Sequence, residues 1–333
     1  MIVPAVNKAE KEIISIGRAA YDRNLVSGRA GNLSIRLSGN RFIITGQGAP
    51  LGFLSRDALV IAEFNGRKKR GQENLSFETG LHAAIYKNVQ PGAVVHVHPR
   101  FTLTLTDASL TLKPLTFESA IFLGKVPVIP QQAPNVTDIA AVTAALALNN
   151  IVILKNHGVV SIGETIWDAF FLAELLEEAA QMIITSRFLG KRKTRSNGGA
   201  AVARKRTKPV PLFSKEHSTL LQQVIQRDHT LPKKGIKASF CVGMKQAETG
   251  RVHMLLKFKN GKMSLMKVHE AAGVFIISGT AAAWRSVFNG LMDPFAAIVQ
   301  KKMVLEGSFR DLLRWYPFFR QLFHLWQSIP VTD

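Results

Sequence analysis

Hydrophobic positions in the first 190 residues follow two periods. Over residues 8–22, Ile13, Ile14, Ile16, Ala19 and Ala20 stand among charges at helical spacing, which predicts an amphipathic opening helix. Residues 33–37 and 41–45 alternate like paired strands around a Ser38-Gly39-Asn40 turn, and residues 59–64 read as another strand closed by Asn65-Gly66. Residues 93–97 alternate again, with Val95 and Val97 on one face and His96, then His98, on the other. An Ala-rich helix is predicted over residues 135–147, capped by Asn135 or Thr137, followed by an apolar strand over 151–154. Residues 164–189 form a long helix whose stripe (Ile166, Phe170, Ala173, Leu176, Ala180, Ile183, Ile184) faces away from Glu174, Glu177 and Glu178.

Beyond residue 210 the pattern changes. A helix is expected over 215–227, then strands over 236–243, 251–258, 262–269 and 273–277, with Lys259-Asn260-Gly261 as a hairpin turn. Short helices follow Ser278-Gly279-Thr280 and the run 289–294. The final aromatic-rich helix, 308–327, should be kinked by Pro317 and is expected to pack in a core. Between the halves, residues 191–209 place basic clusters around small residues, too little apolar surface to order a chain. Three parts result: residues 1–190, a basic flexible linker over 191–209, and residues 210–333.

At 333 residues and 47% hydrophobic content the chain can fill two globular cores. A single cysteine, Cys241, excludes an internal disulfide and fits a reducing cytoplasm, and no secretion leader or 18-residue apolar run is visible. The net charge of +20 is uneven: residues 187–209 hold nine Lys or Arg and no acid. Without interleaved aromatic residues such a run supports only salt-sensitive, non-specific contact with nucleic acid, so no specific nucleic-acid partner is expected.

The candidate chemistry gathers around His96 and His98. A third imidazole, His157, follows the apolar strand in an Asn-His-Gly turn. Upstream, Ser76 reads as a cap and Glu78 and His82 as one face of a helix at i, i+4 spacing. Three histidines with a carboxylate form a catalytic type of divalent-metal set, one that leaves a position for water or substrate. Three imidazoles point to zinc.

These residues carry a family resemblance. Gly31-Asn32-Leu33-Ser34, Ile44-Thr45-Gly46, Ser76-x-Glu78-x3-His82 with Ile85-Tyr86, His96-Val97-His98-Pro99 and Asn156-His157-Gly158 resemble, in order, the class II aldolase/adducin family. The resemblance implies a three-layer α/β/α domain holding zinc or another divalent metal on His96, His98 and His157. It makes Glu78 the catalytic base, with Asn32, Thr45, Gly46 and Ser76 orienting the anionic end of the substrate and His82 supporting Glu78 or the helix. The implied activity is that of a lyase acting on a sugar-like hydroxy-carbonyl compound through a metal-stabilised enediolate, in a homo-tetramer. Two departures matter. Phe77 replaces a second hydroxyl residue, which makes an apolar or carboxylate-bearing substrate more plausible, and the aldolase tyrosine after His98 is missing. Epimerisation, dehydration or decarboxylation on the same scaffold therefore stands beside aldol cleavage, and a non-catalytic adducin-like role is the third reading. Residues 212–325 are similar to the sterol carrier protein 2 family, which implies an α+β domain with an apolar tunnel for a lipid or fatty acyl ligand.

Overall fold

The computed structural model describes residues 4–108, 111–133, 135–136, 138–189, 208–231, 239–259, 262–265 and 274–333. The chain divides into two compact units, Met1–Thr194 and Arg195–Asp333. Thr137, Asn260, Gly261, residues 266–269 and all of the expected linker except Lys208 and Pro209 lie outside the described residues.

The first unit opens with α1 (Val6–Asp22), whose Ala9, Ile13, Ile16 and Ala20 are fully buried, as the helical spacing requires. Strands β1 (Asn32–Leu37), β2 (Arg41–Thr45), β3 (Leu59–Glu63) and β4 (Lys68–Arg70) form an antiparallel meander. The basic run after Asn65-Gly66 becomes the exposed edge strand β4, where charge discourages pairing with another chain. Helix α2 (Thr79–Asn88), β5 (Ala93–Val97), α3 (Arg100–Asp107), α4 (Phe117–Leu123) and β6 (Val128–Ile129) follow. Then come α5 (Ile139–Leu148), β7 (Ile151–Leu154), β8 (Gly158–Gly163) and α6 (Ile166–Phe188).

The eight strands lie in the order β4-β3-β2-β1-β5-β8-β7-β6, antiparallel except for the β6–β7 pair. Helices α1 and α6 cover one face, packing on Leu33, Ile35, Val95 and Val97. Helices α2 and α5 cover the other, packing on Phe42, Ile44, Val94 and Val152. The three-layer expectation holds, and the strand alternation assigns the faces: Val95 and Val97 go to the α1/α6 side and His96 to the α2 side.

Three local details differ from the pattern-based reading. Helix α5 starts at Ile139 because Asp138 caps it, accepting Ala141 N–H at 2.8 Å, so Asn135 lies upstream of the helix. Glu78 occupies the N-cap position of α2 instead of its first turn. Glu177 is buried and turns inward: Oε1 accepts Phe101 N–H at 2.9 Å and Oε2 accepts Thr102 N–H and Oγ1–H at 2.8 Å. Pro99 has no side chain to cap α3, and the Glu177 carboxylate supplies the acceptors that its first turn lacks.

The second unit holds β9 (Val210–Pro211), α7 (Lys215–Arg227), β10 (Ser239–Gln246), β11 (Val252–Lys259), β12 (Lys262–Leu265) and β13 (Val274–Gly279). Helices α8 (Ala281–Phe288) and α9 (Pro294–Val299), β14 (Val304–Glu306), α10 (Phe309–Arg314), α11 (Tyr316–Trp326) and β15 (Val331–Thr332) complete it. The sheet order is β12-β11-β10-β13-β14, with β9 and β15 as a separate parallel pair. The expected kink in the last helix is a break at Trp315, with Pro317 in the first turn of α11, where its missing N–H is harmless. Phe318, Phe319 and Trp326 are fully buried, so this helix is core. Among the described residues no helix is long and apolar enough to cross a membrane.

His217 on α7 is buried against Phe288 at 4.4 Å between ring centroids, with Nδ1 accepting Phe213 N–H at 3.1 Å. Burial pulls its pKa down to about 4. The unfolded chain takes up this proton near pH 6.5 and the folded chain does not. The stability so contributed is therefore present above pH 6.5 and is lost as the pH falls towards 4. A loss on the order of 3 kcal/mol is expected across that window. Thermal melts of the whole chain from pH 7 to 4 test it, and His217→Gln should flatten the dependence of the second unit's transition.

Candidate metal centre

The register of the central strands brings the site together. Asn32 on β1 pairs with His96 on β5, and His96 pairs with Val160 on β8. Beyond the end of β5, His98 is held by its N–H to Leu25 O at 2.8 Å. The β7–β8 connection delivers His157, with Asn156 in the left-handed region (φ 60), which Asn tolerates better than most residues. Gly158 must lack a side chain: a Cβ there would lie 2.7 Å from Val97 O and 2.8 Å from His96 Cε1. That absence lets the third imidazole close on the other two.

His96 Nδ1–H donates to Val159 O at 3.0 Å, so Nε2 presents its lone pair to the cleft. His98 Nε2 lies 3.0 Å from His96 Nε2, and ligand nitrogens of His96, His98 and His157 all lie within 4.8 Å of one another. Burial, with the neighbouring imidazoles adding to it, takes His96 and His98 down to about 3. Both rings are neutral at neutral pH, the form a metal ligand requires.

The Glu78 carboxylate faces this triad from α2, Oε2 at 3.1 Å from His96 Nε2 and Oε1 at 3.5 Å from His157 Nε2. Glu78 is 8% exposed, and its Oε1 has no hydrogen-bond partner, nor does Nδ1 of His157. A divalent cation fits here. Three converging imidazole nitrogens lack a common partner, and a buried carboxylate stands beside them.

A cleft of about 420 Å³ opens on the triad. Of the residues expected to orient substrate, Asn32, Gly46 and Ser76 line it. Thr45 stands behind it, 1% exposed, its hydroxyl accepting Leu33 N–H at 3.2 Å. Asn32 is committed at both ends, donating to Glu78 Oε2 at 3.0 Å and accepting from His82 Nε2 at 2.5 Å. Ser76 Oγ accepts Glu78 N–H at 3.3 Å, helping to fix the chain where the carboxylate emerges. Phe77, 75% exposed, forms an apolar part of the wall.

Two contributions escaped the sequence reading. Arg29 lines the cleft with its guanidinium in no ion pair or hydrogen bond among the described residues. Ser34 and Tyr86 are tied to His82 behind Glu78. The i, i+4 spacing of His82 and Tyr86, and the shared face of Asn32 and Ser34, could have signalled the second.

Fold and site together define a domain of the class II aldolase type. The chain belongs to the family described as Class II Aldolase and Adducin N-terminal domain, matched over residues 11–184, and residues 221–319 match the SCP-2 sterol transfer family. An L-fuculose phosphate aldolase of Methanococcus maripaludis is 35% identical over 51% of this chain and 93% of its own length. A 3-oxo-tetronate 4-phosphate decarboxylase of Haemophilus influenzae is 36% identical over 53% of this chain and 88% of its own. Among solved structures, a putative aldolase/epimerase/decarboxylase from Klebsiella pneumoniae aligns with TM-score 0.51 and 32% identity, over 56% of this chain and 92% of that one. The L-fuculose-1-phosphate aldolase of Thermus thermophilus aligns with TM-score 0.51 and 28% identity, over 55% and 96%.

Proposed function

We propose that residues 1–190 form a zinc-dependent lyase domain that breaks a carbon–carbon bond next to a carbonyl in a small hydroxy-carbonyl compound with an anionic end. The observation that carries this reading is the buried Glu78 carboxylate aimed at three converging imidazoles. His96, His98 and His157 would hold the cation, which when bound supplies Lewis-acid polarisation of the substrate oxygen. Glu78 Oε1 exchanges a proton with the substrate carbon or hydroxyl. Arg29 takes the anionic end by charge-assisted hydrogen bonds, with Ser76 and the backbone at Gly46 orienting it.

Decarboxylation is the second reading, favoured by a specific feature. Aldol cleavage calls for a base at the departing hydroxyl and an acid at the remaining carbon. Loss of CO2 needs only one proton delivered to carbon. No tyrosine lines the cleft among the described residues, and Glu78 is the one buried carboxylate there. Residues 210–333 bind a lipid or fatty acyl ligand in this proposal, and the protein works as a cytoplasmic homo-tetramer.

Elemental analysis of protein purified without a metal-affinity tag tests the centre: near one equivalent of zinc per chain is expected, lost in His157→Ala. Turnover of L-fuculose 1-phosphate and 3-oxo-tetronate 4-phosphate then separates cleavage from CO2 release. Failure to bind zinc even after loading would overturn the lyase reading.

A further inference from the structure

One polar thread crosses the otherwise apolar layer between α2 and the sheet. It runs from Glu78 through Asn32, His82 and Ser34 to Tyr86. Ser34, His82 and Tyr86 are all 0% exposed and sit among Phe42, Ile85 and Val94. Buried polar groups in such surroundings are costly unless every one is paired, and a fully paired set is rigid.

Every link has a single direction. A carboxylate only accepts, so the Asn32 amide donates Nδ2–H to Glu78 Oε2 at 3.0 Å. That orientation puts Asn32 Oδ1 against His82, which donates from Nε2 at 2.5 Å. Burial takes His82 down to about 3, against the pull of Glu78, so the ring is neutral and has one N–H. Its Nδ1 therefore accepts the Ser34 hydroxyl at 2.6 Å, and Ser34 Oγ in turn accepts Tyr86 O–H at 2.7 Å. The thread cannot conduct a proton from end to end, because the Asn32 amide has none to pass on at neutral pH. What it can do is hold an orientation.

We propose that His82, Ser34 and Tyr86 are positioning residues: acting through Asn32 they pin Glu78 Oε2 and leave Oε1 as the oxygen that exchanges a proton with substrate. This rests on the reading of Glu78 as the base. Without the N–H of His82, Asn32 Oδ1 is left buried with no donor and the amide keeps only its bond to Glu78. One bond no longer fixes the amide plane, and Glu78 Oε2 shifts from its place beside His96. A displacement of this size at a reacting group costs much of the rate without weakening substrate binding. The arrangement also removes Tyr86 from the list of proton donors, since its hydroxyl is spent inside the layer.

The test has two arms. The first needs no substrate. In nitrogen-15 imidazole spectra of the zinc-loaded full chain, His82, assigned by its loss in His82→Gln, is expected as a neutral Nε2–H ring. Its proton should exchange slowly with solvent, and its resonance should move in Ser34→Ala. A rapidly exchanging proton, or the Nδ1–H tautomer, would overturn the relay whatever the reaction. The second arm uses the two phosphates named above. His82→Leu should lower kcat by about tenfold or more with KM within about twofold and zinc content unchanged. His82→Gln, whose amide can still donate to Asn32, should recover most of kcat. Equal kcat per folded, zinc-bound chain in wild type and His82→Leu would overturn the positioning role. Should the leucine variant fail to fold, the tautomer and the glutamine rescue decide. No turnover of either phosphate by wild type, alongside the expected tautomer, rules out those two substrates and supports the relay's bonding.

Discussion

Replacing Glu78 by glutamine is expected to lower kcat by about 10²–10⁴-fold while zinc stays bound. The substitution keeps the shape of the side chain and an oxygen that can accept Asn32 Nδ2–H. It removes the lone pair that takes a proton at Oε1, the atom left without a hydrogen-bond partner. Because the three imidazoles remain, elemental analysis should read the same zinc content as wild type. Steady-state kinetics on whichever of the two phosphates is turned over checks the rate. Loss of the metal together with the rate would instead make Glu78 a ligand.

The second large effect comes from a residue with no functional group. Gly158→Ala puts a methyl 2.7 Å from Val97 O, 2.8 Å from His96 Cε1 and 3.0 Å from His98 Cδ2. The backbone oxygen cannot move without breaking the β5–β8 ladder, so the rings or the β7–β8 turn must give way. Either shift spreads the ligand nitrogens. Zinc affinity is expected to fall by about 10–100-fold, the range seen when the supports of ligands are disturbed, with turnover falling alongside. Competition for zinc with a chromophoric chelator measures it. Affinity equal to wild type would show that the turn can retreat without moving the imidazoles.

How far the chain could be read in advance depended on the range of the signal. His96 and His98 share a face because strands alternate, and Val95 and Val97 pack opposite them as that rule demands. The opening helix, the meander and α7 were equally local patterns. Illegible features depend on partners far along the chain: Asn32 on Glu78 is 46 residues away, and His96 on Val159 is 63. Glu177 misled for the same reason. Its helical position places it with the exposed acids, and only the uncapped start of α3, 75 residues earlier in sequence, draws it inward. The motif marks Thr45 as a site residue but does not show that its hydroxyl accepts Leu33 N–H across β1 and β2. Ser34, His82 and Tyr86 stood in plain view, but a polar residue among apolar ones has no visible partner until the layers are stacked.

The central order β1-β5-β8 has a thermodynamic meaning. Asn32, His96 and the turn carrying His157 arrive from three distant stretches and become neighbours only when those strands are side by side. The unfolded chain offers no comparable set of ligands, so cation occupancy and folding are one linked equilibrium. A cation at a hundred times its dissociation constant would then add about 2.7 kcal/mol to the stability of the first unit. Melting temperatures taken across a series of divalent ions would rank the metals this protein prefers, with no knowledge of its substrate.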